Sequence, residues 1–483
     1  MRTSLKVLVA ATVAAAGAGT ASAYGPTTTP DLSFYVSGGS AQNRAFLAFA
    51  ESLMAADGNL DVYSDTTSSA CALGSNYEAV FGTWKTTQGG ITAGKKVIIY
   101  YANNGGTFKN GIDTLARAKT NDFGTFLGAG VSVTGGSCAA AGTGVPAPFT
   151  ATANYHLAAA NVANNQVPDV GLSDEEMGLF TGPNLPSGSN PLTAADFNNT
   201  NRASLYENVF GVAIDTQLAS DMTTKWSNNN ITNAQVAAIL AGNYTDWGQV
   251  CQVNPPAAEV CLTAGAITFI TRSPGSGSKA AWNEFFLNNP GTSGYAGNSV
   301  APNDGPTGNC STFPATSYNV CPQGSNGAVK TALNTAFASG TRAIGILGME
   351  FQPGSSDHYS FAALNGYVID GVTTKTCGNA QADAFEPARV VNGDHALFFT
   401  NSLQVRNKII NGNSRFDGSS TGNSGDFINA FRTAAANPVL DVSVPGVLLD
   451  PGVSGPPSGN PYDACITKGT HNGDSTLPLQ LGF

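Results

Sequence analysis

The sequence predicts an α/β protein with mostly parallel sheets flanked by helices. Three segments repeat one order of short apolar run, small polar loop and amphipathic helical pattern, which is the unit of such folds. A mature chain of about 460 residues exceeds one ordinary core, so two packed units of roughly 150 to 250 residues are expected. The segments are LSFYV (32–36) with SGGSA (37–41), KKVIIYYA (95–102) with NNGG (103–106), and AITFITR (266–272) with SPGSGS (273–278).

Other periodic segments fit the same architecture. Strand-like runs occupy 208–214, 342–349 and 395–401, and TNAQVAAILAG (232–242) has a helical pattern. The loop-rich stretches between these elements contain much Gly, Asn, Pro and Ser, and they predict surface insertions rather than further domains. These stretches are 117–166, 178–204 and 287–328, and the Pro/Gly-rich region after Pro438 is expected to wrap the surface.

The N-terminus has the pattern of a cleavable secretory signal. Arg2 and Lys6 precede an apolar run at 7–16 and the small triplet Ala21-Ser22-Ala23, so residues 1–23 are expected to be removed and the mature chain to start near Tyr24. Later apolar stretches are too short to span a bilayer. Because the first cysteine is Cys71, no N-terminal lipid anchor is expected. The protein is therefore predicted to be periplasmic or extracellular.

Charge excludes one class of partner. The formal net charge is -10 and only 11% of residues are charged, with no basic stripe. A surface of this sign repels phosphodiester backbones, so nucleic acid is excluded as a partner.

The eight cysteines form an even set, which predicts disulfides in an exported protein. The histidines are scattered and no CxxC or HxxxH spacing occurs, so neither a metal site nor a cofactor is expected. Two close pairs would each staple a short loop, and the other four cysteines can pair in three ways, of which one is chosen as the expectation. These pairs are Cys251/Cys261 and Cys310/Cys321, followed by Cys71/Cys138 and Cys377/Cys465.

The run TRSPGSGSKAAW has the features of an anion-binding loop. A strand that passes into a helix presents free backbone N–H groups where the helix dipole is positive. Gly275 and Gly277 would let the backbone approach a ligand, and Ser276 and Ser278 would add hydroxyl donors. Arg272 would add a charge-assisted grip on an oxyanion. A plain turn whose Gly and Ser residues cap a helix is the alternative interpretation.

The run DVGLSDEEM (169–177) places Ser173 and Asp174 after a short apolar segment. An ionised carboxylate only accepts hydrogen bonds, so it can hold the P–OH of hydrogen phosphate and repels a fully deprotonated anion such as sulfate. The alternative role of these two residues is an ordinary helix N-cap.

Together, several motifs resemble in order the landmarks of the periplasmic phosphate-binding protein family of ABC importers. The resemblance spans roughly residues 31 to 435, and its most specific pieces are 231–250 and the Arg-x-x-Gly-Ser-Gly-Ser run. The motifs are SGGSA, NNGGTFKNGID, DVGLSDEEM, NVFGVAID, ITNAQVAAILAGNYTDWGQV, TRSPGSGSKAAW and RAIGILGMEF.

The resemblance implies a two-lobed type II periplasmic binding protein fold without enzymatic activity. Lobe 1 would comprise 31–209 plus 391–483 and lobe 2 would comprise 210–390, with crossings near Gly211 and Asn392. A monomer that receives phosphate or a similar oxyanion and delivers it to an ABC permease is expected. The ligand-binding residues carried over are Ala41, Gln42, Asn103, Asn104, Asp174, Arg272, Ser276, Gly277 and Ser278.

The chain departs from the family pattern at several of these positions. Pro274 occupies the usual acidic position of the anion loop and Ser278 replaces threonine. Asn103 and Asn104 stand where serines are usual, and a long insertion precedes Asp174.

Two other functions fit parts of the sequence. Ser276 and Lys279 satisfy the Ser-x-x-Lys pattern of serine acyl-enzymes, although the companion Ser-Asp-Asn and Lys-Thr-Gly motifs are missing. A secreted surface or matrix protein could also retain the binding-protein fold without a transport role, because fold does not determine function.

Overall fold

A computed structural model gives the fold of this chain. The expected signal peptide, residues 1–23, lies outside the described residues. Within the part of the chain that is described, no helix is long and apolar enough to cross a membrane. The described ranges are 24–65, 76–128, 133–136, 153–157, 163–254, 258–291, 299–305, 310, 313, 317–367, 387–407, 423–442, 444, 446–454, 458–460, 463–470 and 480–481.

Strands alternate with helices along most of the chain. The strands are β1 (Leu32–Ser37), β2 (Asp61–Ser64), β3 (Tyr77–Thr83), β4 (Lys96–Ala102), β5 (Asn121–Asp122), β6 (Val133–Gly136), β7 (Ala153–Leu157), β8 (Asn165–Gln166), β9 (Val170–Ser173), β10 (Thr200–Asp215), β11 (Asn230–Ile231), β12 (Cys251–Asn254), β13 (Ala258–Cys261), β14 (Thr268–Arg272), β15 (Asn319–Gln323), β16 (Ala343–Gly348), β17 (Tyr359–Phe361), β18 (Ala363–Leu364), β19 (Phe398–Arg406), β20 (Val447–Leu449), β21 (Gly469–Thr470) and β22 (Gln480–Leu481).

The helices begin mostly where a strand has just ended. The α-helices are α1 (Asn43–Ser52), α2 (Thr114–Ala116), α3 (Ala194–Phe197), α4 (Thr216–Trp226), α5 (Asn233–Leu240), α6 (Gly277–Leu287), α7 (Asn326–Ala338), α8 (Pro387–Val391), α9 (Asn423–Ala435), α10 (Pro438–Asp441) and α11 (Pro451–Ser454). Short 3-10 segments lie at Ser40–Gln42, Met177–Leu179, Gly182–Asn184, Trp247–Gln249 and Asp463–Cys465, and a π-helix lies at Thr107–Asp113.

One sheet of 14 strands runs through the molecule in the order β15-β14-β16-β10-β19-β9-β1-β4-β3-β2-β7-β6, with β17 and β20 also paired to β10. The long strand β10 changes its partner along its length. Val209 pairs with Phe398 of β19, whereas the next residue, Phe210, pairs with Gly348 of β16. β10 therefore joins two halves of the sheet.

The centre of each half is parallel. β9, β1 and β4 run parallel in the first half, and β16, β14 and β15 run parallel in the second. β10 is antiparallel to both β16 and β19, and β3 is antiparallel to β4. Helices cover the sheet, so the predicted α/β class is confirmed with a mixed sheet.

Both faces of the sheet are buried, as the apolar strands predict. Side chains alternate across a strand: Phe34 and Val36 of β1 join the cluster under α1 and α9, and Tyr35 joins the cluster on the other face. In the second half, Phe269 packs with Trp282 of α6 at 6.1 Å between ring centroids, while Ile270 joins the cluster on the α7 side.

Local sequence signals set the helix starts. Thr232 caps α5, because its hydroxyl accepts from the backbone amide of Gln235. The side-chain oxygen of Gln235 in turn accepts from the backbone amide of Thr232, which completes a capping box. Asp215 caps α4 through the amide of Leu218 at 2.7 Å. The helix predicted at 232–242 is thus confirmed in a slightly shorter form.

The helix predicted after NNGG takes an unexpected form. Residues Thr107–Asp113 are π-helical before α2 begins. Gly111 in this segment packs against β9: a Cβ at Gly111 would lie 2.2 Å from the carbonyl oxygen of Leu172, and one at Gly171 would lie 2.0 Å from the carbonyl oxygen of Gly111. The two glycines let helix and strand backbones touch.

The C-terminal region does not simply wrap the surface, and that expectation is wrong for β20. Its residues Val447–Leu449 are buried and pair with β10 at 206–208. Leu448 and Ile466 lie in the same apolar cluster as Leu347 of β16. Apolar residues among the prolines and glycines explain this, because burying them stabilises the folded chain.

Both predicted short-range disulfides are present, Cys251–Cys261 and Cys310–Cys321. Cys465 is also disulfide-bonded. The other predicted pairings involve Cys71, Cys138 and Cys377, which lie outside the described residues.

Candidate functional site

The carboxyl ends of the two parallel strand sets face one another. β1, β4 and β9 end at one edge, and β14, β15 and β16 end opposite them across β10. This edge is where open α/β sheets bind ligands. α6, α7 and the segments that start at Ser40 and Thr107 all begin there, so their positive dipole ends converge on one region.

Arg272 ends β14 and is 2% exposed. Its Nη2 donates to Ser40 Oγ at 3.2 Å, so the guanidinium reaches from the second half of the fold to the first. Nη1 donates to Ser278 Oγ at 3.4 Å and to Oδ1 of Asn326. Nη2 also donates to the carbonyl oxygen of Gly324 at 3.1 Å, and these contacts fix the plane of the cation.

A second layer holds Arg272 from behind. Asn326 opens α7, and its Nδ2 donates to Oε1 of Glu350 at 2.9 Å. Glu350 is 5% exposed and also interacts electrostatically with Arg44 of α1. The guanidinium of Arg44 lies over the ring of Phe351 at 5.6 Å. The side-chain amide of Asn326 therefore connects the Arg272 guanidinium to the carboxylate of Glu350.

Asp174 lies on the other side of the region and is 2% exposed. The hydroxyl of Thr107 donates to Asp174 Oδ1 at 2.7 Å and accepts from the amide of Gly277 at 3.2 Å. The predicted alternative role as an N-cap is not found, because Glu176 precedes the 3-10 helix Met177–Leu179. The hydroxyl of Thr107 instead connects the three loops that carry Thr107, Asp174 and Gly277.

Two glycines make this approach possible. A Cβ at Gly277 would lie 1.7 Å from Asp174 Oδ1, so any side chain there would collide with the carboxylate. Gly106 has a φ of 72°, and a Cβ on it would lie 2.7 Å from the carbonyl oxygen of Gly275. The amide of Phe108 donates to that same oxygen at 2.9 Å, which joins the NNGG loop to the SPGSGS loop.

Burial dominates the electrostatics of the site. It lowers the pKa of Arg272 to about 10, against the opposing effect of Asp174 and Glu350. It raises the pKa of Asp174, against the hydrogen bond from Thr107 and the charge of Arg272. It also raises the pKa of Glu350 to about 7, partly offset by Asn326 and Arg44. Charged groups are thus held in a dry environment where interactions with an ion are strong.

The start of α6 offers hydrogen-bond donors. Among the described residues, no acceptor is found for the backbone amides of Ser278 and Lys279, as is usual in the first turn of a helix. Ser276 is the N-cap and makes no side-chain capping bond. The amine of Lys279 forms an ion pair with Asp304, whose Oδ1 lies 2.5 Å away.

The remaining sequence-predicted residues contact the first half of the fold. Gln42 Nε2 donates to Asn401 at 2.9 Å, Asn103 Nδ2 to Asn43 at 2.7 Å, and Asn104 Nδ2 to the hydroxyl of Tyr77 at 2.6 Å. Ala41 is buried in the 3-10 segment next to Ser40. The structure therefore brings Asp174, Arg272, Gly277 and Ser278 together, while both asparagine side chains bind elsewhere in their own half.

Sequence reasoning missed four residues of this region, namely Ser40, Thr107, Asn326 and Glu350. Ser40 and Thr107 are hydroxyls at the first position of a helical segment after a glycine-rich loop, a signal that was available. Asn326 and Glu350 belong to no motif of the anion loop, and they reach Arg272 only through the parallel packing of β14 with β15 and β16.

Part of the chain matches a known family of domains. Residues 188–391 match the family model of the PBP superfamily domain. No curated protein sequence matches the chain. The match confirms the resemblance to periplasmic binding proteins for this segment, and with the two-part α/β sheet it confirms the predicted fold class.

Several solved structures are similar at low identity. A protein described as a phosphate ABC transporter substrate-binding protein, with bound phosphate, from Clostridium perfringens has 12% identity and a TM-score of 0.39, covering 83% of this chain and 92% of that one. An ABC-type phosphate transport receptor from Vibrio cholerae has 13% identity and a TM-score of 0.28, covering 55% and 74%. A phosphate-binding protein from Stenotrophomonas maltophilia has 15% identity and a TM-score of 0.28, covering 56% and 80%.

Proposed function

We propose that this protein is an exported solute-binding protein. Its residues 188–391 match the PBP superfamily domain. It holds a small tetrahedral oxyanion, phosphate, between the two halves of its sheet. The observation that carries the proposal is the buried Arg272, which touches Ser40 of the opposite half and Ser278 at the start of α6. A cation that bridges two halves is well placed to sense an anion that enters between them.

The chemistry of the donor set fits an oxyanion. A guanidinium gives a charge-assisted, planar grip on two oxygens, and helix-start amides bind anions without net positive charge. Here the donors are Arg272, the hydroxyls of Ser276 and Ser278, and the amides of Ser278 and Lys279. Net negative charge of the whole chain does not oppose this, because the local field comes from fixed dipoles and one buried cation.

Asp174 supplies selectivity in this proposal. Its carboxylate accepts the proton of hydrogen phosphate, whereas sulfate offers no proton at neutral pH and is repelled. Thr107 holds Oδ1 of Asp174 in place by donating at 2.7 Å. Of the other carried-over residues, Ala41 and Gln42 shape the first loop, and Asn103 and Asn104 fix the second loop through Asn43 and Tyr77.

The two lobes of the proposal are 31–209 plus 391–483 and 210–390. The change of partner along β10, between Val209 and Phe210, supports a crossing near Gly211. The second crossing is placed near Asn392. A ligand that touches both lobes favours their closed arrangement, because it binds that arrangement better.

Calorimetric titration of the purified mature protein with phosphate and with sulfate tests the function. We expect phosphate to bind and to raise Tm, since a ligand stabilises the folded state that it binds. Arg272→Ala should abolish the phosphate-dependent rise. Arg342→Ala is the matched control, because Arg342 is ion-paired with Asp221 away from the site. A wild-type response in Arg272→Ala, or no phosphate binding by the wild type, would contradict the proposal.

Transport coupling is a further part of the proposal, in which a monomer delivers phosphate to an ABC permease. Phosphate uptake by cells that lack the protein distinguishes this role from a secreted surface or matrix protein that binds without transport. Catalysis as a serine acyl-enzyme is not proposed, because the amine of Lys279 is held by Asp304 rather than by Ser276.

A further inference from the structure

The first described residues of the chain are seated in a defined pocket of the first half. The hydroxyl of Tyr24 forms a hydrogen bond with Thr83 Oγ1 at 2.6 Å, and the centroid of its ring lies 5.0 Å from that of Phe81. The amine of Lys96 lies 5.5 Å from the centre of the same ring. Thr28 donates to the carbonyl oxygen of Tyr24. The residue that follows the predicted cleavage triplet is therefore anchored on three sides.

A buried carboxylate faces the backbone of this residue. Asp61 of β2 is 0% exposed, and its Oδ2 accepts from the amide of Gly25 at 2.8 Å. The backbone N–H of Tyr24 also stabilises the carboxylate. Among the described residues no cation acts on Asp61, and its other recognised partner is the side chain of Tyr63, through a hydrogen bond. A buried carboxylate that has hydrogen bonds but no cation beside it is costly to ionise.

We propose that Asp61 is the receptor for the α-ammonium group that cleavage after Ala23 creates on Tyr24. A processing peptidase adds water across the Ala23–Tyr24 bond, which leaves a carboxylate on Ala23 and an amine on Tyr24 that takes up a proton. The new cation lies where the Tyr24 N–H already interacts with Asp61. Processing thus converts a neutral donor into the ionic partner that the buried carboxylate lacks.

Electrostatics supports this assignment. Burial raises the pKa of Asp61 to about 6 in the unprocessed chain, although hydrogen bonds from Gly25, Tyr63 and Tyr24 oppose the shift. The amine of Lys96 lies over the Tyr24 ring, and no charge interaction of Lys96 with Asp61 contributes to this shift. An adjacent ammonium favours the ionised carboxylate. The mature N-terminus would be a structural element of the first half, independent of any ligand.

Mass spectrometry of the exported protein is the first test, and we expect its N-terminal residue to be Tyr24. The second test is the rate at which an amine-acylating reagent labels the α-amine of the native mature protein at neutral pH. A buried, ion-paired amine reacts slowly, so we expect labelling at least about tenfold slower than in Asp61→Asn. Asp221→Asn is the control, because Asp221 is ion-paired with Arg342 in the second half of the fold, and this variant should label like the wild type.

A second variant keeps the proposal testable if Asp61→Asn fails to fold. A mature chain with one added glycine before Tyr24 retains Asp61 but moves the ammonium outward. We expect fast labelling and a lower Tm, by about 2 °C or more. A mature chain that starts elsewhere than Tyr24, equal labelling rates in wild type and Asp61→Asn, or an extended chain with unchanged labelling and Tm would each overturn the proposal.

Discussion

Thr107 donates its hydroxyl to Oδ1 of Asp174 at 2.7 Å, although 67 residues separate them. The same hydroxyl accepts from the amide of Gly277. One side chain therefore couples the carboxylate of the first half to the anion loop of the second. The proposed selectivity for a protonated oxyanion depends on this arrangement.

Asp174→Asn should change which oxyanion binds. The amide keeps the acceptor for Thr107 but presents donors to the ligand, so the penalty against sulfate is removed. We expect the preference for phosphate over sulfate to fall by about tenfold or more, measured as a ratio of Kd values by calorimetry. The ligand-free variant should also be more stable, because burial raises the pKa of Asp174 and its charge is costly. An unchanged ratio would exclude Asp174 from selectivity.

Gly277→Ala should destabilise the fold through crowding alone. Its Cβ would lie 1.7 Å from Asp174 Oδ1, and overpacking of this kind costs about 1 to 3 kcal/mol. Urea unfolding measures the loss. Gly178→Ala is the control, because nothing lies within 4 Å of a Cβ there. Equal stability of the two variants would show that the Gly277 contact is absent.

Glu350 should make stability depend on pH. Burial raises its pKa from 4.5 to about 7, so the folded protein binds the proton more tightly than the unfolded chain does. Stability from this group is fully present below about pH 4.5 and is lost as the pH rises to about 7. The loss is at most about 3 kcal/mol. Glu350→Gln should flatten Tm against pH over this window, and a parallel curve for the variant would contradict the account.

Glu207 and Asp450 are two buried carboxylates that interact with each other. Thr470 Oγ1 lies 3.0 Å from Glu207 Oε1 and 3.1 Å from Asp450 Oδ2, so its single proton can be donated to either carboxylate, and both acids are buried. Burial, together with the charge of Asp450, raises the pKa of Glu207 well above its usual range. Glu207 therefore keeps its proton to a higher pH than an exposed glutamate does.

Glu207→Gln should therefore stabilise the protein at alkaline pH and leave it nearly unchanged in acid. The raised pKa of Glu207 gives stability that is present at low pH and is lost as the pH rises, whereas an amide donates to Asp450 at every pH. Urea unfolding across the pH range measures the difference. Thr470→Val is the contrasting control, since it removes the bridging hydroxyl and should lower stability by about 1 to 3 kcal/mol at all pH values. A constant offset between wild type and Glu207→Gln would argue against a raised pKa of Glu207.

Local signals predicted most of the elements. Apolar runs such as VIIYYA and TFITR are buried on both faces, so their composition alone predicts the strands β4 and β14. The capping box of Thr232 and Gln235 also predicts α5 from local sequence, because its two residues lie within one helical turn. The apolar run predicts a strand from 208, whereas β10 begins at Thr200. The residues at 200–207 are polar or mixed, and they form a strand because they pair with β19.

The sequence by itself determined the strand–loop–helix units, the short disulfides and the passage from the strand that Arg272 ends to the helix that starts at Gly277, because each depends on residues close together in the chain. Only the tertiary structure decided that Thr107 holds Asp174, that Asn326 and Glu350 stand behind Arg272, and that Asn103 and Asn104 bind Asn43 and Tyr77. Those contacts join residues from separate strand ends. Their partners are set by the order and direction of strands in the sheet, which hydrophobic periodicity does not encode.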